Sequence, residues 1–506
     1  MSRTQKQLYP DFSAYIDFID ENGVSPEIIY KIINKHRGNS KYNENLYKRY
    51  QTLEGAVPIS RREPRFEEEK KPINNKIIND FFGEIVDFKT GYFAGKAIAY
   101  GYSNTDEAEE TTGGENAVDE ATKALTDFTT RNNMYGVDLE TTKLASIYGY
   151  AGRLFYIDEE GNERVMPIHG YETIVLSKTN ISEPKYAIRY YKTYDVNDVQ
   201  KWTVEFYDNT NIYTYSGMLS QLKEESVKPH MFDYCPLQGI ANNNELLGDA
   251  EKVLPLIDDY DKVLSDNSNE VEAFVHAYLI FEGLNIDEKT IAQGQKNGSF
   301  VFPAMGTQQG KAYFLTKNIN DSFTEHHLQR VEDNIYRFSK TPNLEDTTFG
   351  TASGEALKFK LHGLETKCGM FEAMMMNAGQ HMFKVLASAW SKKRIPFDPL
   401  QATMSFTRNF PLNSLSNAQT AQALIAAGVP EEIAWDIAIP EIDDIDYVKE
   451  LKEQEQEDVT GFYEDEEGSD ELEEDTEIED ELDALEKELD IEEEPDNEKE
   501  KKKKER

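Results

Sequence analysis

From residue 353 to residue 390 the chain runs without proline, and Leu357, Leu361, Leu364, Met370, Met374, Met375, Phe383 and Leu386 fall mostly three, four or seven positions apart. That spacing belongs to one face of an α-helix, and at a rise of 1.5 Å per residue it predicts a rod about 55 Å long. Ser353 or Thr351 is placed to cap the first turn, where Glu355 meets the positive end of the helix dipole. The stretch before it, residues 341–352, is small and polar and reads as a loop.

Residues 1–70 alternate short helical patterns with charged connections, and Ser25-Pro26-Glu27 opens one helix, because Pro suits the first helical position. Residues 60–72 read as a solvated connection, and residues 75–92 as a helix whose Ile77, Ile78, Phe81, Phe82, Ile85, Val86 and Phe88 make a broad buried face. A polar loop, 103–116, precedes two more helices, about 117–131 and 137–150. The period then shortens. Residues 153–168 form two apolar-rich runs around Glu159-Glu160-Gly161-Asn162, a hairpin signal, and β-branched and aromatic alternation continues to Gly217. The prediction is one antiparallel sheet of five or six strands. Its aromatic residues (Tyr190, Tyr191, Trp202, Tyr207, Tyr213) fit half-buried sheet packing better than a ligand platform.

Residues 245–272 return to helical spacing, with Pro255 demanding a kink or a late start. Asp258, Asp259, Asp261 and Asp266 fall on the face opposite the apolar one. Strands at 273–283, 296–304 and 312–316 make a small α/β unit, and residues 321–340 come back as a helix. A strand at 404–411 and helices at 417–427 and 430–439, broken at Gly428, complete the ordered pattern. From residue 449 onward Glu, Asp and Lys dominate, and such a stretch buries too little apolar area to offset its ordering entropy, so disorder with some charged helix is expected. The fold class is α+β.

Charge narrows the function. Of 506 residues, 95 are acidic and 54 basic, a net of −41. Residues 441–506 carry 33 acids and 9 bases, which leaves 62 acids and 45 bases, a net of −17, on the body. Affinity for phosphates comes mainly from Lys and Arg, so the chain is a poor grip for nucleic acid, although nucleic acid that must pass without sticking is compatible with it. Cys235 and Cys368 stand far apart, without the spacing of a zinc site or a disulfide framework, which suits a reducing cytosol. No signal-peptide core and no window of 18 apolar residues is present, so neither secretion nor membrane spanning is expected.

The catalytic motifs are absent: no phosphate-binding loop, no nucleophile elbow and no dinucleotide fingerprint. His326 and His327 are adjacent and cannot share a helix face as metal ligands do, and Ser353-Gly354 reads as a cap, not a nucleophile. Met370, Met374, Met375, Met376 and Met382 read as adaptable packing. Residues 417–439 have a helix-turn-helix outline, but the second helix carries Glu431, Glu432 and Asp436 and no base, so a plain helical hairpin is expected. No enzyme activity, cofactor or metal is expected.

Four stretches carry a family likeness in a fixed order: NNKIINDFFGEIVDFKTGYFAGK (74–96), LLGDAEKVLPLIDDYDKVLSDNSNEVEAF (246–274), TPNLEDTTFGTASGEALKFKLHGLE (341–365) and MSFTRNFPLN (404–413). With them the chain resembles the portal proteins of tailed bacteriophages, in the subfamily typified by siphophages of Gram-positive hosts. The resemblance implies a ring, dodecameric in the virion, at the unique capsid vertex, through which double-stranded DNA is packaged and ejected. It implies an N-terminal segment (1–72), an antiparallel β wing (73–244), stem helices (245–272 and 319–340), a small α/β clip (273–318), a tunnel loop (341–352), a long wing helix with a following strand (353–409), a helical crown (410–450) and a disordered acidic tail (451–506). The tunnel-loop residues Asn343, Leu344, Glu345, Asp346, Thr347, Thr348 and Phe349 would face DNA, and Asp258, Asp259, Asp261 and Lys340 would line the stem.

The implied partners are further copies of the chain, DNA, terminase (which holds the ATPase), a head-completion adaptor, and the major capsid and scaffolding proteins, with no membrane. The implied location is the virion, after synthesis in the host cytoplasm. One departure stands out. The resemblance allows basic residues near the constriction, as some portals have, whereas this loop has none, the nearest being Lys340, Lys358 and Lys360. The competing reading is an acidic cytosolic scaffold that binds proteins and passes no DNA.

Overall fold

Helices and antiparallel strands alternate in blocks along the chain. The structure, a computed structural model, describes residues 9–64, 73–103, 114–194, 196–275, 278–282, 289, 311–315, 321–343, 354–409, 421–430 and 433–434. The chain divides into two units, residues 1–413 and 414–506. In the second, a helical turn closes at Gly428, whose φ of 86° turns the chain left-handed while the Val429 amide reaches back to Leu424 O, the break expected there. The rest of the expected crown helices and the acidic tail lie outside the described residues.

The first unit opens with helices α1 (Ser13–Asn22) and α2 (Pro26–Tyr50). Ser25 caps α2 through the Ile28 amide and Pro26 takes the first position, as the sequence predicts. The isoleucines of these helices (Ile16, Ile19, Ile28, Ile29, Ile32, Ile33) pack on one face of a five-stranded sheet. Its strands run in sequence order: β4 (Thr173–Leu176), β5 (Tyr186–Tyr194), β6 (Gln200–Tyr207), β7 (Asn211–Met218) and β8 (Gln221–Pro229). Tyr190, Phe206 and Tyr215 are buried under the helices, so most of the aromatic alternation is packing. The Tyr9 hydroxyl closes the free edge of β4, accepting from Val175 N and donating to Val175 O.

The hairpin belongs elsewhere. Strands β2 (Tyr150–Ile157) and β3 (Glu163–Ile168) pair with β9 (Leu237–Ala241) in a separate three-stranded sheet ordered β3-β2-β9, which corrects the single-sheet expectation. The alternating pattern specified the strands but not their neighbours, because β9 enters from far along the chain. Helices α3 (Phe81–Ala94), α4 (Gly114–Arg131) and α5 (Met134–Tyr148) accompany this sheet. A further correction concerns residues 75–80, expected as the start of a helix: they form no helix, and α3 begins only after Asp80, whose carboxylate caps the Gly83 amide.

Helix α6 (Leu254–Val275) starts late within the helical pattern of 245–272, one of the two outcomes Pro255 allows, with Pro255 in its first turn. Beyond it, β10 (Tyr278–Glu282) pairs antiparallel with β11 (Lys311–Leu315); the strand expected at 296–304 lies outside the described residues. Helix α7 (Asp321–Ser339) returns beside α6, and the long predicted helix is α8 (Gly354–Lys392). At 39 residues α8 measures about 58 Å. Leu361, Leu364, Cys368, Phe371, Met375, Ala378, Met382, Val385 and Ala389 form one buried stripe at alternating steps of three and four. Its first part joins α3, α5, α6 and α7 in one core, and its last part joins Phe128, Phe155 and Phe232 in another. Finally β1 (Ala99–Tyr102) pairs with β12 (Ala402–Ser405), shorter than the expected strand at 404–411.

Candidate functional site

The out-and-back pair α6/α7 and the head of α8 meet at one place, and polar side chains hold them there. Val253 just before α6, and Ile257, Asp261 and Ser265 on it, are buried in steps of four, so the stripe changes from apolar to polar halfway along. The extended residues 74–79 lie on its polar half. Asn79 N donates to Asp261 Oδ1 at 2.9 Å, Ile77 N to Ser265 Oγ at 2.9 Å and Asn75 N to Asn269 Oδ1 at 2.6 Å. The fit is metric: four helical residues rise about 6 Å, and two extended residues advance about 6.6 Å. Arg62 locks the end of this strap by bonding Asp266, Asn74 and the Asn75 carbonyl.

The loop before α6 places an acid in the interior. Gly149, with φ of 88°, ends α5, and a Cβ there would lie 2.0 Å from Leu246 O, so only glycine lets residues 242–249 lie across the helix end. Asn242 N and Asp249 N then bond the Gly149 and Ser146 carbonyls. Asp249 is thereby held between Lys89 Nζ of α3, at 3.1 Å, and Lys367 Nζ of α8, at 3.2 Å. Burial alone would raise the Asp249 carboxyl, but the Lys367 and Lys89 ammonium groups and the Asn242 amide hold it down to about 2. Lys89 also bonds Asn242 and lies 4.2 Å over the Phe371 ring, while Lys367 donates to Ser339 O at the end of α7. Asp249 therefore ties α3, α8, the end of α7 and the approach to α6 to one carboxylate.

Helix α7 ends with Lys340 in the left-handed conformation (φ 61°) and the Thr341 amide bonded back to Tyr336 O, a terminus that glycine normally occupies. Lys340 is exposed and Thr341 buried, and Asn343 Nδ2 reaches Glu332 Oε1 at 3.4 Å. Leu344, Glu345, Asp346, Thr347, Thr348 and Phe349 lie outside the described residues.

The acidic face expected on α6 needs correction. Asp258 pairs with Arg49 of α2, Asp266 with Arg62, and Asp261 is buried with the Asn79 amide on its carboxylate. These three bond residues 49–79 of the same chain. Asp259 is the most exposed of the four, at 3.1 Å from His327 Nε2 of α7, a contact across the helix pair. His326 turns away and bonds the Ser322 carbonyl within its own helix, so the two histidines are split as their adjacency requires. Among the described residues, no group of three or more His, Cys, Asp or Glu side chains is placed to hold a metal ion, and no helix is long and apolar enough to cross a membrane. Cys235 and Cys368 are buried free thiols, pushed by burial up to about 12 and about 11.

Sequence reasoning missed Asp249, Lys89 and Lys367. Asp249 ends an Asn-Asn-Asn-Glu-Leu-Leu-Gly-Asp stretch whose Asn and Gly residues mark a connection and say nothing of a buried acid. A lysine inside the apolar face of residues 81–94 was the signal that a buried counter-charge had to exist.

Comparison with known families matches residues 29–461 to the family described as phage portal protein, SPP1 Gp6-like. Two curated relatives are similar to the chain. The portal protein of Bacillus phage SPP1 is 24% identical over 428 residues, spanning 79% of this chain and 81% of the relative. The portal protein of Clostridium phage phiCD119 (strain Clostridium difficile/United States/Govind/2006) is also 24% identical over 428 residues, spanning 80% and 89%.

Proposed function

The chain belongs to the SPP1 Gp6-like phage portal protein family, and from that premise we propose that copies of it form a ring at the unique vertex of a phage capsid, the channel through which DNA is packaged and ejected. The observation that carries the reading is the family match along residues 29–461. The order of elements supports it: a helix pair α6/α7 leaves and rejoins the body around the β10–β11 ribbon, and the long helix α8 follows α7 in the chain.

In this reading residues 245–272 and 319–340, which hold most of α6 and α7, form the stem, residues 273–318 the clip, residues 73–244 with α8 and β12 the wing, residues 341–352 the tunnel loop, and 410–450 the crown, with residues 1–72 as a separate N-terminal segment. The clip would meet terminase and later a head-completion adaptor, and the ring would also meet capsid and scaffolding proteins. Of the channel residues named from sequence, Asp259, Lys340 and Asn343 remain in the proposal, together with the loop positions 344–349. Asp258 and Asp261 leave it, because their carboxylates are used inside the protomer. A conduit needs weak contact with phosphates, since each neutralised phosphate adds salt-dependent affinity and a ring multiplies it. A body with a net charge of −17 suits that need.

Electron microscopy of the purified protein tests the reading directly. Closed rings with a central hole are expected, twelve-fold in the virion. Solitary protomers under assembly-promoting conditions would instead favour the acidic scaffold. A second experiment tests the loop: deletion of residues 343–349 leaves rings intact and impairs packaging. Particles of the deletion variant that fill normally would remove the loop from the channel.

A further inference from the structure

Between α3, α6 and α7 lies a cleft of about 480 Å³. Phe81, Tyr260 and Tyr336 line it as one aromatic group, with Phe81 edge-on to both tyrosines at 5.0 and 6.0 Å between ring centroids. Around them stand the carboxylates of Asp80, Glu84, Asp87 and Glu332. Asp80 accepts from its own helix's Gly83 amide and Asp87 from the Tyr50 hydroxyl. Neither has a basic partner among the described residues. The site is thus open, apolar at the rings and negative at the rim, in a form that fits a cation carried beside an aromatic side chain.

The same helix carries such a pair on its other flank. Tyr336 and Phe338 are two positions apart, so their side chains diverge by about 200° around α7. Phe338 is 55% exposed, and Arg337 extends beside it, 5.9 Å from its ring and without a carboxylate partner among the described residues. One flank of α7 therefore offers an acidic–aromatic cleft and the opposite flank an arginine–phenylalanine edge.

We propose that the Arg337–Phe338 edge of one copy seats in the Asp80–Asp87 cleft of the next copy. The proposal rests on the ring reading above and deepens it by naming the surfaces that meet. A contact between two different patches of the same chain is head-to-tail, the class that closes into rings when the rotation per copy permits. Charge complementarity selects this occupant: the edge supplies the cation that Asp80 and Asp87 lack within their own protomer, and Phe338 supplies the apolar group that the rings can cover.

Charge exchange tests it, with ring formation followed by mass photometry across a dilution series. Arg337→Glu and Asp87→Arg are each expected to raise the concentration needed for assembly at least about tenfold. The combined variant is expected to restore it, which loss of folding in the single variants could not do. As a second measurement, Arg337→Cys combined with Asp87→Cys is oxidised in assembled rings. A ladder of covalent multimers is expected from the pair and none from either cysteine alone, because Cys235 and Cys368 are buried. Rings that assemble like wild type in every charge variant, or a cysteine pair that yields no ladder, overturn this interface while leaving the ring reading intact. A wild-type protein without rings overturns both.

Discussion

Asp249 shows how much one carboxylate can hold when it is buried beside two ammonium groups. Replacing it with asparagine keeps the shape but leaves Lys89, fully buried, and Lys367, nearly so, without their counter-charge. The expected cost is about 3–5 kcal/mol of folding stability, measured by urea unfolding. Lys89→Met, which removes a charge and keeps a long apolar stem, is expected to cost less than Asp249→Asn. His36 makes a second prediction. Its ring lies between Tyr190 and Tyr150, each hydroxyl 3.0 Å from one ring nitrogen. The Tyr150 proton is directed at Gly170 O, so Nε2–H donates to Tyr150 and Nδ1 accepts from Tyr190, which requires a neutral ring. Burial holds His36 down to about 3 from 6.5. The unfolded chain therefore binds a proton in that interval that the native protein does not. Stability is full above about pH 6.5 and falls as the pH drops towards 3, by up to about 1.4 kcal/mol per pH unit from this group. His169, His230 and His381 are also lowered by burial and act with the same sign, so His36→Gln should flatten, not abolish, the slope seen by denaturation at a series of pH values.

Among the elements, the strap on α6 carries the most specific expectation. Asp261 receives both the backbone and the side-chain amide of Asn79, and an alanine there strands two donors against a buried helix face. A loss of about 1–3 kcal/mol is expected for Asp261→Ala, and the double variant with Ser265→Ala should fall short of additivity because both positions hold one extended segment. The helix expected to start at residue 75 failed here for a traceable reason. Ile77, Ile78, Phe81 and Phe82 carry helical spacing, but Asp80 three positions before Gly83 is a start signal, and it places the helix after the strap. The end of α7 offers the opposite case. Lys340 occupies a left-handed position that suits glycine, so Lys340→Gly should raise the melting temperature by the equivalent of up to about 1 kcal/mol. If Lys340 faces DNA as proposed, the same change should alter packaging in the more stable protein, which separates its two roles.

For the molecule as a whole, composition makes one claim that packing does not. Beyond residue 452 the chain is dominated by charged residues, so truncation after Lys452 should leave the unfolding midpoint of the first unit unchanged, as read by calorimetry. A large fall would mean that the acidic segment is bound to the body. The long helix α8, the return of α7 beside α6, the cap of α2 and the break at Gly428 were all legible beforehand, because period, proline and capping residues act within a few positions. The ordered likeness of four stretches carried the family, and the match over residues 29–461 agrees with it. The division of the strands into two sheets, the inward turn of Asp258 and Asp261, and the meeting of Lys89, Asp249 and Lys367 were not legible. Each joins residues far apart in sequence, and such pairing follows from which surfaces exclude water together. Local pattern settles where an element starts and which stripe of it is apolar. A polar residue inside that stripe finds its partner only when distant elements pack, and here that packing drew two of the channel candidates into the protomer and left Asp259 outside.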